Sequence, residues 1–147
     1  MMADIQSKTK TLQIKRTFSA PREKVFTAWT NPEELKKWWH ISDNWSTPVA
    51  EVDLRVGGKY RLGMQDPTKD SPYVVGGKFQ EVKSPEKLVY TWQWEGQDEK
   101  TLVTVEFHAR GNSTEVILTH GEFMETKTME EHTQGWHGCL DQLNKIC

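Results

Sequence analysis

The chain has 147 residues and a formal net charge of −2 at pH 7, with 19 basic and 21 acidic side chains scattered along it. This balance excludes the basic surface that nucleic-acid binding requires, and no apolar run approaches the roughly 20 residues of a membrane span. The first residues are polar and lack the apolar segment of a secretion signal, so we expect a cytoplasmic protein. The length suits one core, and we expect a flexible tail over residues 1–10 and a single domain over residues 11–147.

The first part of the chain predicts a strand and two short helices. Residues 11–19 alternate between apolar and polar side chains, as in a strand with one buried face. Pro21 suits the first position of a helix. That helix stops where Asn31 begins the next one as its N-cap, with Pro32 at the first helical position. A loop follows, in which Trp45 is a candidate to cover a site beneath it.

Strand patterns dominate from Val49 to His120, and we interpret them as about six consecutive antiparallel strands. The glycine pairs at 57–58 and 76–77 indicate a hairpin turn and a bend in the sheet. Large side chains in a row need a deep space on the inner side of such a sheet. The most informative strand carries four of them on one face, namely Leu88, Tyr90, Trp92 and Trp94.

The C-terminal segment from Met124 to Cys147 predicts the one long helix. Thr128 followed by Glu131 has the spacing of a capping box at a helix start. Apolar side chains then recur every three or four positions and so share one helical face. These residues are Met129, His132, Trp136, Cys139, Leu140, Leu143 and Ile146.

Two glycines, Gly135 and Gly138, flank Trp136 in this predicted helix. Each costs about 1 kcal/mol relative to alanine in a helix interior, so their presence calls for a reason. One explanation is close backbone packing on the sheet, and the other is room for a ligand beside Trp136. Both explanations remain open from the sequence.

Assembled in order, these elements predict an α+β domain in which a strongly curved antiparallel sheet is covered by the long C-terminal helix. Two short helices follow the first strand. Because a straight helix cannot fill a strongly bent sheet completely, we expect a hydrophobic cavity between the helix and the sheet.

Five stretches of the chain resemble one known family. They are Trp29-Thr30-Asn31-Pro32-Glu33 with Leu35, Trp38 and Trp39, then residues 51–60, residues 85–92 (PEKLVYTW), residues 114–120 (TEVILTH), and Gly135-Trp136 with Leu140 and Leu143. On these residues the chain resembles the AHSA1-like family, related to the C-terminal part of the activator of the Hsp90 ATPase, and the resemblance covers about Ile14 to Leu143. The resemblance implies the helix-grip fold of the START-like, SRPBCC or Bet v 1-like superfamily, with an interior hydrophobic cavity.

Binding of a small hydrophobic molecule in this cavity, without catalysis, is our first hypothesis. Tryptophan rings, of which the chain has seven, offer flat surfaces for lipid-like, sterol-like or flat aromatic molecules. We predict a site with no cofactor and no metal, while the alternative that the aromatic residues simply fill the core stays open. The predicted site residues are Trp39, Trp45, Tyr60, Met64, Tyr90, Trp92, Trp94, His120, His132, Trp136 and Leu140.

A cyclase or hydrolase is a less favoured alternative, with His120 and His132 as candidate acid–base groups. His132 lies on the apolar face of the last helix and His120 on the inward face of a strand, so we expect the two to meet. The sequence contains no zinc-protease motif, nucleophile elbow or glycine-rich phosphate loop. An inward histidine is more often a hydrogen-bonded core residue than a catalyst.

A third hypothesis, suggested by the family resemblance, is a co-chaperone role in which the chain regulates an Hsp90-type ATPase. Arg55 and Lys59, with Glu51 and Asp53, are candidates for a charged contact surface near the first hairpin. Asp53 and Arg55 are two apart on a strand and share a face, so each can pair with neighbours across the hairpin, and we expect them to have a structural role in fixing its turn.

Overall fold

The structure is a computed structural model that describes residues 9–147. The predicted tail over residues 1–10 therefore lies almost wholly outside the described residues, and the first strand already begins at Lys10. The elements, in chain order, are β1 (Lys10–Phe18), α1 (Arg22–Thr30), α2 (Pro32–Trp38), β2 (Ser46–Val52), β3 (Lys59–Gln65), β4 (Tyr73–Lys83), β5 (Lys87–Trp94), β6 (Thr101–Arg110), β7 (Ser113–Phe123) and α3 (Thr126–Leu143).

The seven strands of the described chain form one antiparallel sheet in the order β1-β7-β6-β5-β4-β3-β2. Strands β2 to β7 each lie beside the next in sequence, which confirms the predicted run of six, and β1 pairs with β7. The register shifts within β1, within β2, and between Phe79 and Glu81 in β4. Such irregularities bend and twist a strand, which is how a sheet gains strong curvature.

Buried and partly exposed side chains alternate along the central strands, so one face of the sheet forms the core. The buried positions are Leu88, Tyr90 and Trp92 in β5, Thr101, Val103, Val105 and Phe107 in β6, and Thr114, Val116, Leu118 and His120 in β7. The sequence pattern predicted this inner face. The alternation weakens at the end of β5, where Trp94 is only partly buried.

Asn31 ends α1 and begins α2. Its Oδ1 accepts hydrogen bonds from the backbone N–H groups of Glu33 at 2.9 Å and Glu34 at 3.4 Å, which confirms the predicted N-cap. Pro21 is the N-cap of α1 and not its first helical residue, because the helix starts at Arg22. The side chain of Asn31 thus caps α2, whereas Pro21 makes no side-chain hydrogen bond to α1 and contributes only its fixed backbone φ angle.

The C-terminal helix begins earlier than the sequence predicted. α3 starts at Thr126 with Glu125 at the N-cap, and no side chain caps it. The predicted capping box of Thr128 and Glu131 is therefore wrong. Thr128 lies inside the first turn, where the next N–H, that of Met129, already bonds the carbonyl of Glu125 at 3.2 Å.

The three helices complete an α+β architecture of the helix-grip type, as predicted. α1 packs on β6 and β7, α2 packs on β2, and α3 crosses β1 and β7 and also contacts α2. The buried stripe of α3 is Trp136, Cys139, Leu140 and Leu143, in agreement with the sequence pattern. No helix within residues 9–147 is long and apolar enough to cross a membrane.

Replacing Asn31 with alanine removes the oxygen that caps α2 and should lower the free energy of unfolding by about 1 kcal/mol. Asn31→Asp keeps an oxygen acceptor at the same position, so this variant should retain nearly all of the stability. Denaturant titration followed by tryptophan fluorescence measures both. Equal losses in the two variants would show that the hydrogen bonds of the cap contribute nothing.

Candidate ligand-binding cavity

A cavity of about 900 Å³ lies between the inner face of the sheet, the loop that follows α2, and the part of α3 between Thr128 and Cys139. Large apolar side chains form most of its wall, and the few carboxylates are at residues 95 and 131. Its lining residues are Trp39, Ile41, Trp45, Met64, Pro72, Tyr73, Val74, Trp92, Trp94, Glu95, Gln97, Thr128, Glu131, His132, Gly135, Trp136 and Cys139.

The structure brings seven of the predicted site residues together on this wall. They are Trp39, Trp45, Met64, Trp92, Trp94, His132 and Trp136. The other four lie in the packed core and are not part of the cavity lining. These are Tyr60, Tyr90, His120 and Leu140.

Tyr60 and Tyr90 belong to a separate aromatic cluster on the same face of the sheet. Their rings meet edge to face with centroids 5.1 Å apart, and both contact Phe79. The Tyr60 hydroxyl donates to the carbonyl of Thr91 at 2.5 Å, and the Tyr90 hydroxyl accepts from Trp29 Nε1 at 3.2 Å. Burial raises the pKa of both hydroxyls. This part of the inner face is therefore filled by protein.

Trp92 lies at the centre of the aromatic wall. Its ring centroid is 5.2 Å from that of Trp136, 5.5 Å from that of Trp94 and 6.1 Å from that of Trp39. The rings therefore contact one another, and the open space lies beside the cluster. Trp92 and Trp136 are only 4% and 3% exposed, whereas Trp94 and Trp45 are partly buried and present open ring surface. Part of the aromatic cluster thus fills the core, as the core-filling alternative predicts, and a cavity remains beside it.

His132 is held in one arrangement by two hydrogen bonds. Its Nδ1 lies 2.8 Å from the carbonyl oxygen of Thr128, which can only accept, so Nδ1 carries the proton. Its Nε2 lies 2.9 Å from Nε1 of Trp94, which can only donate, so Nε2 is the acceptor. Both ring nitrogens are thereby engaged, and neither is a free base at the cavity.

His120 is buried beyond His132, with ring centroids 5.3 Å apart, so the two histidines meet as predicted. Its Nδ1 accepts from Trp136 Nε1 at 3.0 Å, which leaves Nε2–H to donate to Thr101 Oγ1 at 2.7 Å. Burial, with a smaller contribution from His132, lowers the pKa of His120 to about 2. A histidine that is neutral at physiological pH and bonded at both nitrogens is a poor acid–base catalyst.

The loop over residues 39–45 packs on α3 at one side of the cavity. The two glycines of α3 differ in how closely this loop approaches them. A Cβ on Gly138 would lie 2.6 Å from the carbonyl oxygen of Ile41, so glycine is needed there for the close approach of the loop. A Cβ on Gly135 would come no closer than 4.0 Å to Ile41, and Gly135 lines the cavity. Close packing thus explains Gly138, although against the loop and not the sheet. A Cβ would fit at Gly135, so room for a ligand beside it stays a prediction.

Two further contacts fix this loop. Asp43 accepts hydrogen bonds from Lys145 and, at 2.8 Å, from Gln142, and these bonds lower the pKa of the Asp43 carboxyl. Trp45 stacks on Tyr73 with ring centroids 6.1 Å apart and an interplanar angle of 19°. The first contact ties the loop to the end of α3, and the second joins it to the start of β4.

Sequence reasoning missed several lining residues, including Ile41, Tyr73, Glu131 and Cys139. Ile41 had a signal, since it is an apolar residue in an otherwise polar loop, and Cys139 belonged to the apolar stripe of α3. The sequence carries no such signal for Tyr73. This residue is the first of β4, is exposed, and lies at the cavity only because it stacks on Trp45.

The charged residues of the first hairpin are mostly paired locally. Nε of Arg55 lies 3.0 and 2.9 Å from the two carboxylate oxygens of Asp53, so these residues pair with each other within the turn. Among the described residues, this couple therefore pairs within the turn and not with neighbours across the hairpin, whereas Glu51 does pair across it with Arg61 at 3.5 Å. All of these side chains are well exposed, and such pairs contribute little stability.

Metal ligands do not converge anywhere in the part of the chain that the structure describes. No group of three or more His, Cys, Asp or Glu side chains within it is placed to hold a metal ion. Cys139 and Cys147 are both free thiols. Burial raises the pKa of the Cys139 thiol, so this cavity residue is a weak nucleophile at neutral pH.

Alanine at the two glycines of α3 should have opposite effects on stability. Both changes gain the same helix propensity, about 1 kcal/mol, so their difference isolates the steric effect. Gly138→Ala should be less stable than Gly135→Ala by more than about 1 kcal/mol, because only Gly138→Ala displaces the backbone of the 39–45 loop. Thermal or denaturant unfolding measures both. Equal stabilities would contradict the close approach of Ile41 to α3.

The low pKa of His120 should make the fold sensitive to acid. Histidine in an unfolded chain titrates near 6.5, so between that pH and about 2 the unfolded state binds one more proton than the folded state. The free energy of unfolding should therefore fall as the pH drops below about 6.5, by up to about 1.4 kcal/mol per pH unit. Denaturant titrations between about pH 6.5 and 5.5 measure the slope, above the range in which ordinary carboxylates titrate.

His120→Gln should reduce this pH dependence of the free energy of unfolding by up to about 1.4 kcal/mol per pH unit, which is the contribution of one bound proton. His40→Gln is the matched comparison, because burial lowers the pKa of His40 as well and His40 is less deeply buried. An unchanged slope in His120→Gln would show that His120 does not remain neutral in the folded chain.

Comparison with known proteins places this fold and cavity in a family. The family described as "Activator of Hsp90 ATPase homolog 1-like protein" matches residues 19–147. The solved protein CV1439 from Chromobacterium violaceum has a TM-score of 0.82 at 25% identity, covering 93% of this chain and 96% of that chain. The AHSA1-like protein from Aeromonas hydrophila has a TM-score of 0.78 at 26% identity, with 92% and 90% covered. The AHSA1 protein SPO3351 from Silicibacter pomeroyi shares the fold, with a TM-score of 0.82 at 23% identity and 93% and 96% covered.

A comparison with curated proteins found no match. The family match covers most of the chain, from the end of β1 to the last residue, and includes the loop, the strands and the helix that form the cavity. The same strands and helix recur in the similar solved structures, which agree with it over nearly their whole length. The chain therefore belongs to the AHSA1-like family, and by implication to the SRPBCC superfamily.

Proposed function

We propose that this chain binds a small, flat, hydrophobic molecule in the cavity between the sheet and α3. The observation that carries the proposal is the cavity itself, about 900 Å³ with five tryptophan rings and Met64 on its wall. Ligand pockets in proteins commonly measure about 300–1,000 Å³ and are lined mainly by apolar and aromatic side chains. The space is large enough for a molecule of several fused rings.

The aromatic wall supports a flat ligand in particular. Trp45 and Tyr73 stack nearly parallel at one side, while Trp94 stands edge to face against Trp92. A planar molecule that enters between these rings gains offset stacking on some and edge contacts on others. Met64 adds a flexible, polarisable side chain that adapts to the outline of the ligand.

The polar groups at the cavity support binding without catalysis. The nitrogens of His132 and His120 are all engaged in hydrogen bonds with protein groups, and His120 is neutral at physiological pH. The thiol of Cys139 is protonated because it is buried. None of these three residues offers a ready proton acceptor or nucleophile to a bound molecule.

Regulation of an Hsp90-type chaperone stays a prediction from the family to which the chain belongs. The charged residues proposed for such a contact include Arg55 and Asp53, which are paired with each other in the hairpin turn. The geometry therefore favours the cavity as the functional feature of this domain.

Pyrene, a flat hydrocarbon with no hydrogen-bonding group, provides the simplest test of the proposal. It should bind to the wild-type chain, quench tryptophan fluorescence and show the vibronic spectrum of an apolar environment. Gly135→Leu places a side chain in the cavity and should weaken binding by about tenfold or more, equivalent to about 1.4 kcal/mol. Equilibrium dialysis gives the dissociation constants.

Gln134→Leu is the matched control, since Gln134 is the adjacent residue on the exposed face of α3. This variant gains the same side chain outside the cavity and should bind pyrene as the wild type does. Equal affinity in all three chains, or no measurable binding to the wild type, would contradict the proposal.

A further inference from the structure

One tryptophan of the cavity wall has a polar group without a partner. Nε1 of Trp92 is buried and has no hydrogen-bond partner within the part of the chain that the structure describes. The side chain as a whole is 4% exposed and lines the cavity. A buried donor without an acceptor is unfavourable, and such groups are rare in folded proteins.

Four other tryptophans of the same region, in contrast, have hydrogen-bond acceptors for their indole N–H groups. Trp94 donates to His132 at 2.9 Å, and Trp136 donates to His120 at 3.0 Å. Trp29 and Trp38, behind the wall, donate to the hydroxyl of Tyr90 and to the carbonyl of Ala28. The fold thus supplies acceptors for these four indoles, whereas the described residues supply none for Trp92.

The charges at the cavity are the second observation. Glu95 and Glu131 are on its lining, and no lysine or arginine is among the lining residues that the structure describes. Both ring nitrogens of His132, which is also among these lining residues, are already hydrogen-bonded to protein groups, so neither is free to bind an anion. Arg61 lies outside the lining and is already bonded to Glu95 at 2.7 Å. An anionic group would therefore meet negative charge at the cavity and no cation within it.

From these observations we propose that the ligand is a neutral, flat molecule with a hydrogen-bond acceptor, such as a ketone oxygen, that accepts from Trp92 Nε1–H. This inference rests on the proposed function and adds the polarity and charge of the ligand to it. Fatty acids and other anionic amphiphiles are excluded from this class, although their chains would fit an apolar cavity. Hydrocarbons without an acceptor bind, but leave the Trp92 donor without a partner.

The donor becomes accessible by a small movement of a neighbouring ring. Nε1 of Trp92 is covered in the structure, so an acceptor reaches it only when an adjacent side chain shifts. Trp94 is the neighbour that moves in this proposal, because its ring lies edge to face with Trp92 at 5.5 Å and is partly exposed. The movement gives up its hydrogen bond to His132. A ligand that stacks in the cavity then replaces the contact that Trp94 loses.

A matched series of tricyclic probes tests the inference by equilibrium dialysis: fluorene, 9-fluorenone and 9-fluorenone-2-carboxylate. The first two differ by one ketone oxygen, and the third adds an anionic group. In the wild type, 9-fluorenone should bind more tightly than fluorene by about fivefold, since a hydrogen bond of ordinary strength gives such a factor. The carboxylate should bind more weakly than 9-fluorenone by about tenfold.

Trp92→Phe keeps an aromatic ring and removes the N–H, so it should abolish the preference for 9-fluorenone over fluorene while both still bind. Trp29→Phe is the control, because Trp29 lies behind the cavity wall and its N–H is already bonded to Tyr90, and it should keep the preference. Should Trp92→Phe fold poorly, the indole N–H signal of Trp92 in the wild type gives the same information. It should move downfield with 9-fluorenone and not with fluorene.

The outcomes separate this inference from the proposed function. Binding of both neutral probes with the same preference in wild type and Trp92→Phe would overturn the inference and leave the proposed function intact. Tighter binding of the carboxylate than of 9-fluorenone would also overturn it. Failure of every probe to bind would contradict the proposed function itself.

Discussion

The contact between Trp136 on α3 and Trp92 on β5 determines how closely the C-terminal helix approaches the sheet. The two ring centroids are 5.2 Å apart, and Trp136 also donates its indole N–H to His120 on β7. Beyond this contact, Leu140 and Leu143 are fully buried and the helix is in full contact with the core. Before it, Thr128, Glu131, His132 and Gly135 line the cavity, and Cys139 lines it on the other side of the contact. A straight helix cannot follow a strongly curved sheet along its whole length, and the cavity lies beside the contact.

His120 and His132 provide hydrogen-bond acceptors for two of the tryptophans. His132 accepts from Trp94, and its other nitrogen donates to Thr128 on its own helix. His120 accepts from Trp136 and donates to Thr101 on the neighbouring strand. Each of the two histidines is thereby held in one tautomer. Burial is also the main reason for the low pKa of His120.

Much of the fold was predictable from sequence because its signals are local. Alternation marked the inner faces of β5 to β7, and the apolar stripe marked the buried side of α3. The site residues were less predictable, since alternation identifies which side chains face the core but not where along that face the cavity lies. Tyr60 and Tyr90 share their face with Trp92 but fill the core, because the cavity occupies only one end of the sheet. The position of Ile41 over Gly138 depends on tertiary packing, for which the sequence has no periodic signal.

The distribution of the seven tryptophans gives the most direct test of the central claim, that α3 and the curved sheet leave a cavity beside Trp92 for a flat ligand. Nitrogen-15 correlation spectra resolve each indole N–H during titration with pyrene. Trp39, Trp45, Trp92, Trp94 and Trp136 line the cavity and should shift, whereas Trp29 and Trp38 lie behind its wall and should shift much less. Equal shifts at all seven positions, or changes confined to Trp29 and Trp38, would contradict the account.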